Sequence, residues 1–450
     1  MTMEFSFYFL LIFFQTIACV HCELSNVAFT LGQTNHLYLS HGEQLTYNKI
    51  ITNLSAEFDS LGSFVSRKPG LYAFHFFSLA HSESRTWIEL FKNTDYICSI
   101  FGYTSHGYAD AGNSVFLHLN EHDTVSIKSH PSYDTTLYGT GDQIYTTFTG
   151  VLLNPDDAEY PYQKESFSVG LNHHFQTSQG ELVRYNNIIV NSNANVFNTQ
   201  TGKFTAAMDG TYIFHYHGLA QNDEAIWLEL YRNGEYVNSA FGHTDSGYAD
   251  AGNTVILHLS RGDQVYIKAR NNYQVNLYGA ADQVYATFSG NLLAPLSHDS
   301  EDSRSETSFS VGLSHHFTGT NLIFDRVFSN RGGRYSQVTG HFTAKESGVY
   351  VFHFHALSRS DAHIWVDLYH DYHYIDSLYG GSDDEYATGS NAAALNLVAG
   401  DIVFLKSRQS SNSYYGAPDQ VYCTFSGYKL DTTEEFIIGN PDVVIGRLSL

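Results

Sequence analysis

The chain has 450 residues, enough for about three domains of ordinary size, and 43% of its residues are apolar. Aromatic residues make up 15%, with 33 Tyr and 32 Phe but only 3 Met, a composition that favours strands over helices. The formal net charge of -23 at pH 7 repels nucleic acids and anionic membrane surfaces, so it argues against a nucleic-acid partner.

An apolar run from Phe5 to Phe14, interrupted only by Ser6, predicts a secretory signal peptide over residues 1–22. The run is too short to cross a bilayer, which needs about 20 residues as a helix. Cleavage after Ala18 and cleavage after Cys22 fit the sequence equally well. No later run is long enough to span a membrane, so we expect a secreted, extracellular protein.

The cysteines do not form a disulfide framework. Cys19 and Cys22 fall in the predicted signal, which leaves Cys98 and Cys423 at non-equivalent positions. We expect these two to be buried free thiols, and an intermolecular bridge is the alternative.

After the signal, one pattern occurs three times. The segments GLYAFHF, GTYIFHY and GVYVFHF begin at Gly70, Gly210 and Gly348, at intervals of 140 and 138 residues. A period of this length is a whole domain, because solenoid units run to about 20–50 residues. Polar, acidic stretches separate the copies. The predicted organisation is domain 1 over 23–153, a linker over 154–163, domain 2 over 164–293, a linker over 294–306, domain 3 over 307–430 and a tail over 431–450.

Hydrophobicity within each copy alternates with period two. Tyr212, Phe214 and Tyr216 therefore share one face of a strand, and Ile213 and His215 lie on the other. Short alternating strands between Gly, Asn and Asp turns predict an all-β sandwich or jelly roll.

The pattern Phe-x5/6-Phe-x5-Gly-x-Tyr-x-Phe-x-aromatic leads into each of the three glycine segments. Five residues separate Phe58 from Phe64 in the first copy, six separate the two aromatics in the other copies, and Tyr335 replaces the first Phe in the third copy. Together with a closing Phe-Ser/Thr-Gly, it resembles the globular-head domain of complement component 1q, a relative of the tumour necrosis factor fold. An Asn stands five residues before the first aromatic at Asn53 and Asn330, but the second copy has Ser192 there.

The resemblance implies three tandem jelly-roll β-sandwich domains of the complement 1q and tumour necrosis factor type, which pack as trimers and recognise ligands through exposed loops. No collagen-like Gly repeat precedes the first copy, so the chain resembles a stalkless, lectin-like member. Three heads in one chain could pack around a pseudo-threefold axis as an intramolecular trimer, or the chain could form homo-oligomers.

The loop GYADAGN that ends at Asn113 recurs in the second copy and is altered in the third. Asp110 and Asp250 could be calcium ligands, because hard cations prefer carboxylate and carbonyl oxygens from loops. Thr388 removes that ligand from the third copy. Turn structure alone would also explain the Gly, Asn and Asp residues.

Three tyrosines occupy one position of the same loop. Tyr108, Tyr248 and Tyr386 could stack on sugars, or they could pack on the barrel.

Histidine pairs on one strand face suggest a transition-metal site. His215/His217 and His353/His355 could each hold a metal, although the first copy has Phe77 in the second place. A hydrogen-bonded, partly buried imidazole is the alternative for each histidine.

Three further features have simpler explanations. The triplet Arg261-Gly262-Asp263 suggests integrin binding, but Asp recurs in the equivalent turns as Asp123 and Asp401, and turn chemistry explains it. The single tryptophan of each copy is predicted to lie in the core. Asn53-Leu54-Ser55 is a glycosylation sequon.

No enzyme motif is present, so the sequence predicts a binding protein. The favoured function is a secreted, multivalent, lectin-like recognition protein of innate-immune type that binds carbohydrate or microbial surfaces. The alternatives are an acidic extracellular-matrix protein and a cytokine-like receptor ligand.

Overall fold

The computed structural model describes residues 26–103, 107–156, 165–192, 196–222, 224–243, 247–296, 307–332, 334–381 and 386–430. Every regular element within these ranges is a β-strand, and they contain no helix that could cross a membrane. The predicted signal peptide, most of both predicted linkers and the predicted tail lie outside the described residues.

Head 1 comprises the described residues up to 156. Its strands are β1 (Ala28–Gly32), β2 (Leu37–Leu39), β3 (Lys49–Leu54), β4 (Glu57–Phe58), β5 (Phe64–Val65), β6 (Gly70–Leu79), β7 (Arg85–Lys92), β8 (Asp95–Tyr103), β9 (Asp110–Leu119), β10 (Thr124–Ser129), β11 (Thr135–Leu137) and β12 (Thr147–Pro155).

Head 2 comprises the described residues from 165 to 296. Its strands are β13 (Ser166–Gly170), β14 (Phe175–Thr177), β15 (Asn187–Asn191), β16 (Phe197–Asn198), β17 (Lys203–Thr205), β18 (Gly210–Leu219), β19 (Ile226–Arg232), β20 (Glu235–Gly242), β21 (Asp250–Leu259), β22 (Gln264–Ala269), β23 (Val275–Leu277) and β24 (Thr287–Pro295).

Head 3 comprises the described residues from 307 to 430. Its strands are β25 (Ser308–Gly312), β26 (Phe317–Thr318), β27 (Arg326–Arg331), β28 (His341–Thr343), β29 (Gly348–Leu357), β30 (His363–His370), β31 (His373–Gly381), β32 (Thr388–Leu397), β33 (Ile402–Ser407), β34 (Ser413–Tyr414) and β35 (Thr424–Lys429).

Each head is a sandwich of two antiparallel sheets and also contains a two-stranded sheet, β2-β11, β14-β23 or β26-β34. The inner sheets have the orders β3-β1-β12-β6-β9, β15-β13-β24-β18-β21 and β27-β25-β35-β29-β32. The outer sheets have the orders β4-β5-β10-β7-β8, β16-β17-β22-β19-β20 and β28-β33-β30-β31. Strands distant in the chain are neighbours in each sheet, as in a jelly roll, so the predicted fold class is confirmed.

Aromatic side chains fill the space between the two sheets of each head. In head 2, Tyr212, Phe214 and Tyr216 belong to the core, as their alternation predicts. In each head, the glycine of the closing Phe-Ser/Thr-Gly motif makes room for aromatic rings of the core. A Cβ on Gly150 would lie 2.4 Å from Cε1 of Phe29, so a larger residue cannot occupy this position.

The three inner sheets pack against one another around a common pseudo-threefold axis. Strands β6, β18 and β29 are buried along their whole length, because one face covers the core of the head and the other faces the axis. A hydrophobic cluster on the axis draws residues from all three heads, including Ala73, Ile213 and Val351. The axis is thus a core shared by the heads.

The same hydrogen bonds recur at each of the three head interfaces. Asn113 Nδ2 of head 1 donates to Tyr285 O of head 2 at 2.9 Å, and Thr287 Oγ1 donates to Asn113 Oδ1 at 2.6 Å. Asn253 makes the equivalent bonds to head 3, and Asn391 makes them back to head 1. The ring of heads is therefore closed within one chain.

Candidate functional site at one end of the axis

The GYADAGN loops of heads 1 and 2 and their altered counterpart in head 3 lead into β9, β21 and β32, which begin at the same end of the pseudo-threefold axis. A pocket forms there, with about 540 Å³ of empty space that is partly open to solvent. Its lining includes the predicted site residues of all three heads, Tyr108, Tyr248, Tyr386, Asp110 and Asp250. We call this feature the axial pocket.

The three tyrosines interlock neighbouring heads. Tyr248 of head 2 packs edge-on against Phe101 of head 1, with ring centroids 5.4 Å apart. Tyr386 makes the same contact with Phe241, and Tyr108 contacts Tyr379 of head 3. The tyrosines are half-buried, so each ring both seals an interface and lines the pocket.

Asp110 and Asp250 are buried at the same end of the axis. Asp110 Oδ2 accepts hydrogen bonds from Ser390 N at 3.1 Å and from Ser390 Oγ at 3.3 Å, and Asp250 Oδ2 accepts one from Gly112 N at 3.3 Å. Burial raises the pKa of each carboxyl well above its usual range, and the charge of Asp250 raises that of Asp110 further. Thr388 occupies the third equivalent position.

Histidines occupy the axis below the pocket. His75, His215 and His353 are fully buried, one from each head, and their ring centroids lie 4.5 to 4.9 Å apart. The adjacent layer contains His217 and His355, with ring centroids 6.2 Å apart. Burial lowers the pKa of His75 to about 3, aided by His217, so this ring is neutral at physiological pH.

The structure brings together histidines that the sequence prediction had separated. That prediction paired residues within a single strand and treated the first copy as an exception. The signal for the true grouping is that His75, His215 and His353 occupy the same place in all three copies of one segment.

The tryptophan prediction is wrong. Trp87 is only half-buried, on the face of β7 opposite to Ile88 and Leu90, which point into the core. It belongs instead to a cluster between heads that includes Tyr285 of head 2. Trp227 and Trp365 likewise contact the next head, at Tyr422 and Tyr145, although Trp227 also packs against the core of head 2.

Asp263 of the Arg-Gly-Asp triplet is bound by its own turn and by the β19–β20 hairpin beside it. Its Oδ2 accepts hydrogen bonds from Ser260 N at 2.9 Å and Arg232 Nη2 at 2.7 Å, and its Oδ1 accepts one from Asn233 Nδ2 at 2.6 Å. This arrangement supports the structural explanation of the triplet.

The second copy does contain the asparagine that the motif requires. Asn191 pairs with Phe167 in the register that places Asn53 opposite Phe29, and its Nδ2 donates to Phe197 O at 3.2 Å. The loop in head 2 is one residue longer, which shifted Ser192 into the expected position in the sequence.

The predictions for the remaining single residues are met in part. Cys98 and Cys423 are buried free thiols, as predicted. Asn53 is exposed, and its side chain closes a turn by bonding the backbone of Ala56 through both of its polar atoms. Its glycosylation stays a prediction.

Comparison with known proteins identifies the domains. The family model described as the C1q domain matches residues 28–153, 166–293 and 308–430. Among curated proteins, complement C1q tumor necrosis factor-related protein 3 of Homo sapiens is 34% identical over 136 residues, covering 29% of this chain and 53% of that protein.

Complement C1q tumor necrosis factor-related protein 6 of Rattus norvegicus is 32% identical over 109 residues, covering 24% of this chain and 41% of that protein. The chain therefore spans about half the length of these curated relatives. Among solved structures, the globular domain of zebrafish complement 1qA protein is 24% identical, with 30% of this chain and 99% of that chain covered and a TM-score of 0.26.

Proposed function

The chain belongs to the C1q-domain family, and from this we propose that it is a secreted, multivalent recognition protein that binds carbohydrate or microbial-surface ligands. The observation that carries the proposal is the convergence of three equivalent loops on the axial pocket. Half-buried tyrosine rings offer faces for stacking, and the pocket carboxyls offer hydrogen-bond acceptors.

We also propose that the chain is divided into three heads with the boundaries that the sequence predicts. Each matched C1q segment falls inside a proposed head, 23–153, 164–293 or 307–430. The axial pocket is shared by the three heads and supplies one site per chain. Multivalent binding would therefore come from equivalent surfaces that each head presents away from the axis.

We also propose that calcium binds in the axial pocket between Asp110 and Asp250. Two buried carboxyl groups beside each other repel when ionised, and a divalent cation would relieve that repulsion. Calorimetric titration with calcium should give binding to the native chain, and D250N should abolish it. Equal binding by D250N would contradict this site.

The recognition proposal is tested by binding of the purified full chain to glycan and microbial-polysaccharide arrays, with calcium and with chelator. The variant Y248A removes a ring that lines the pocket. Y372A is the matched control, because Tyr372 is 72% exposed on the β30–β31 hairpin, at the opposite end of β31 from the pocket. We expect specific signals that Y248A loses and Y372A keeps.

The array result also separates the alternatives. No signal in either buffer would contradict recognition of sugars and favour an acidic matrix protein. Saturable binding to a single cell-surface protein would instead favour a cytokine-like ligand.

A further inference from the structure

Three histidines from three different heads meet on the pseudo-threefold axis. His75 lies on β6, His215 on β18 and His353 on β29, at equivalent positions of the three inner sheets. Their ligand nitrogens all lie within 4.8 Å of one another, and each residue is buried. No head alone contains this arrangement.

Hydroxyl groups orient two of the three rings. His75 Nδ1 lies 2.9 Å from Ser114 Oγ, and His215 Nδ1 lies 2.9 Å from Thr254 Oγ1. If Nδ1 carries the proton and donates it to the hydroxyl, the lone pair is on Nε2, the nitrogen that a metal uses. Ala392 holds the third equivalent position, pairing with His353, and supplies no hydroxyl.

The other nitrogens are buried without a hydrogen-bond partner among the described residues. They are Nε2 of His75, Nε2 of His215 and both ring nitrogens of His353. Burying polar atoms unsatisfied is unfavourable, and native structures rarely leave several such atoms beside each other. An unpaired set that converges on one point indicates a ligand for that point.

We propose that His75, His215 and His353 form a transition-metal site, with Zn²⁺ as the preferred ion. Neutral imidazoles suit Zn²⁺, which binds histidine nitrogen at about 2.0–2.1 Å and accepts three protein ligands with water in the fourth position. The nitrogens already lie within 4.8 Å of one another, so reorientation of the rings, without a change of fold, would bring them to that distance. The ion would join all three heads at their common axis.

The site is independent of the axial pocket and of the proposed recognition function. The pocket offers carboxylate oxygens, which suit calcium, whereas the histidines offer nitrogen. The hydrophobic residues Ala73, Ile213 and Val351 adjoin the histidines on the other side. An ion there would exchange slowly, because it is enclosed by packed side chains.

The test uses the full chain, secreted from cells in zinc-supplemented medium and purified without a polyhistidine tag. Elemental analysis after dialysis against EDTA should find about one equivalent of zinc per chain. Cobalt introduced during refolding should give the visible absorption of tetrahedral Co²⁺. X-ray absorption spectroscopy at the zinc edge should show imidazole nitrogen ligands.

Two variants localise the ion. H353L removes a ligand from the triad and should lose the bound zinc, together with the increase in melting temperature that zinc gives the native chain. H355F is the matched control, since Phe77 already occupies that position in head 1, and it should retain zinc. Circular dichroism checks that both variants fold.

Two results would overturn the proposal. One is a native chain that holds no zinc, copper, nickel or cobalt after dialysis and gives no cobalt spectrum on refolding. The other is full retention of zinc by H353L, which would place the ion elsewhere. The measurement on the native chain decides the question even if H353L does not fold.

Discussion

His130 stacks on Trp87 in head 1, with ring centroids 3.8 Å apart and an angle of 28° between the planes. The other heads place an arginine over the equivalent tryptophan, Arg270 over Trp227 in head 2, at 4.6 Å. Arg408 does the same in head 3. One of three equivalent interfaces therefore has a histidine where the others have arginine.

The arginines link acidic groups across the head interfaces. Arg270 pairs with Glu229 of its own head at 2.7 Å and with Asp419 of head 3 at 3.0 Å. In head 1, His130 Nε2 lies 3.9 Å from Glu89. Burial, with a contribution from the charge of Asp282, raises the pKa of Glu89 to about 7.

We expect H130R to stabilise the chain by about 1 kcal/mol at pH 8, and by less at pH 5.5. A raised carboxyl pKa contributes stability at low pH that is lost as the pH rises through about 7. Arginine would pair with the ionised Glu89 and remove that loss. Melting temperatures at the two pH values measure the effect.

The converse variant R408H is the control for this prediction. It should lower stability, because it leaves the buried Asp367 without the guanidinium that now bonds it at 2.9 Å. An equal gain from H130R at both pH values would contradict the role of Glu89.

Asp376 in the core of head 3 should limit the stability of that head. Both carboxyl oxygens are buried without a partner among the described residues, and burial raises the pKa of Asp376 to about 8, with a further contribution from Asp367. Stability should fall as the pH rises from 4 to 8, by up to about 1.4 kcal/mol per unit.

The variant D376C should remove this dependence and raise the melting temperature. Cys98 occupies the equivalent position in head 1, and heads 1 and 3 share a phenylalanine, Phe76 and Phe354, where head 2 has Tyr216. Asn238 occupies it in head 2 and accepts a hydrogen bond from Tyr216, a partner that head 3 lacks. D95N, at an exposed strand end, should change little. Unchanged pH dependence in D376C would refute the assignment.

The interface asparagines should hold the ring of heads closed. N253A removes hydrogen bonds to Tyr422 O and Thr424 Oγ1 of head 3, so we expect a loss of about 2–4 kcal/mol. Solution scattering should show a larger radius of gyration, and proteolysis between heads should accelerate. N198A, which removes bonds within head 2 only, is the control. A variant as compact as the native chain would show that the asparagines are dispensable.

Asn53 should carry an N-linked glycan in protein from secreting eukaryotic cells. The residue is exposed on β3, an edge strand of the inner sheet. Digestion with an amidase specific for N-linked glycans should reduce the mass of the native chain and leave N53Q unchanged. An identical mass before and after digestion of the native chain would refute this prediction.

The faces of individual strands could largely be read from the sequence. Alternation placed Tyr212, Phe214 and Tyr216 in the core, because a strand directs neighbouring side chains to opposite faces. The same rule contradicts the core prediction for Trp87, which stands three residues from Leu90 and so faces away from it. The size and hydrophobicity of the indole favoured a core position, whereas the strand register of Trp87 relative to Leu90 places it on the opposite face.

Register at loops was less predictable. The asparagine of head 2 is Asn191 rather than Ser192 because the sequence of head 2 has one more residue between this asparagine and Phe197, and a fixed spacing cannot detect that change. The equivalent asparagine is identified by its strand pairing with Phe167 and its hydrogen bond to Phe197 O, not by its distance along the chain.

The sequence by itself determined the three copies, the all-β fold of each and the family, since these depend on local alternation and on spacings within one head. The tertiary structure alone decided what meets between heads, including His75 with His215 and His353 and the pocket of Asp110 and Asp250. Those groups lie about one domain length apart in the chain. They meet only because each inner sheet has an apolar face directed to the axis, and the three such faces bury one another.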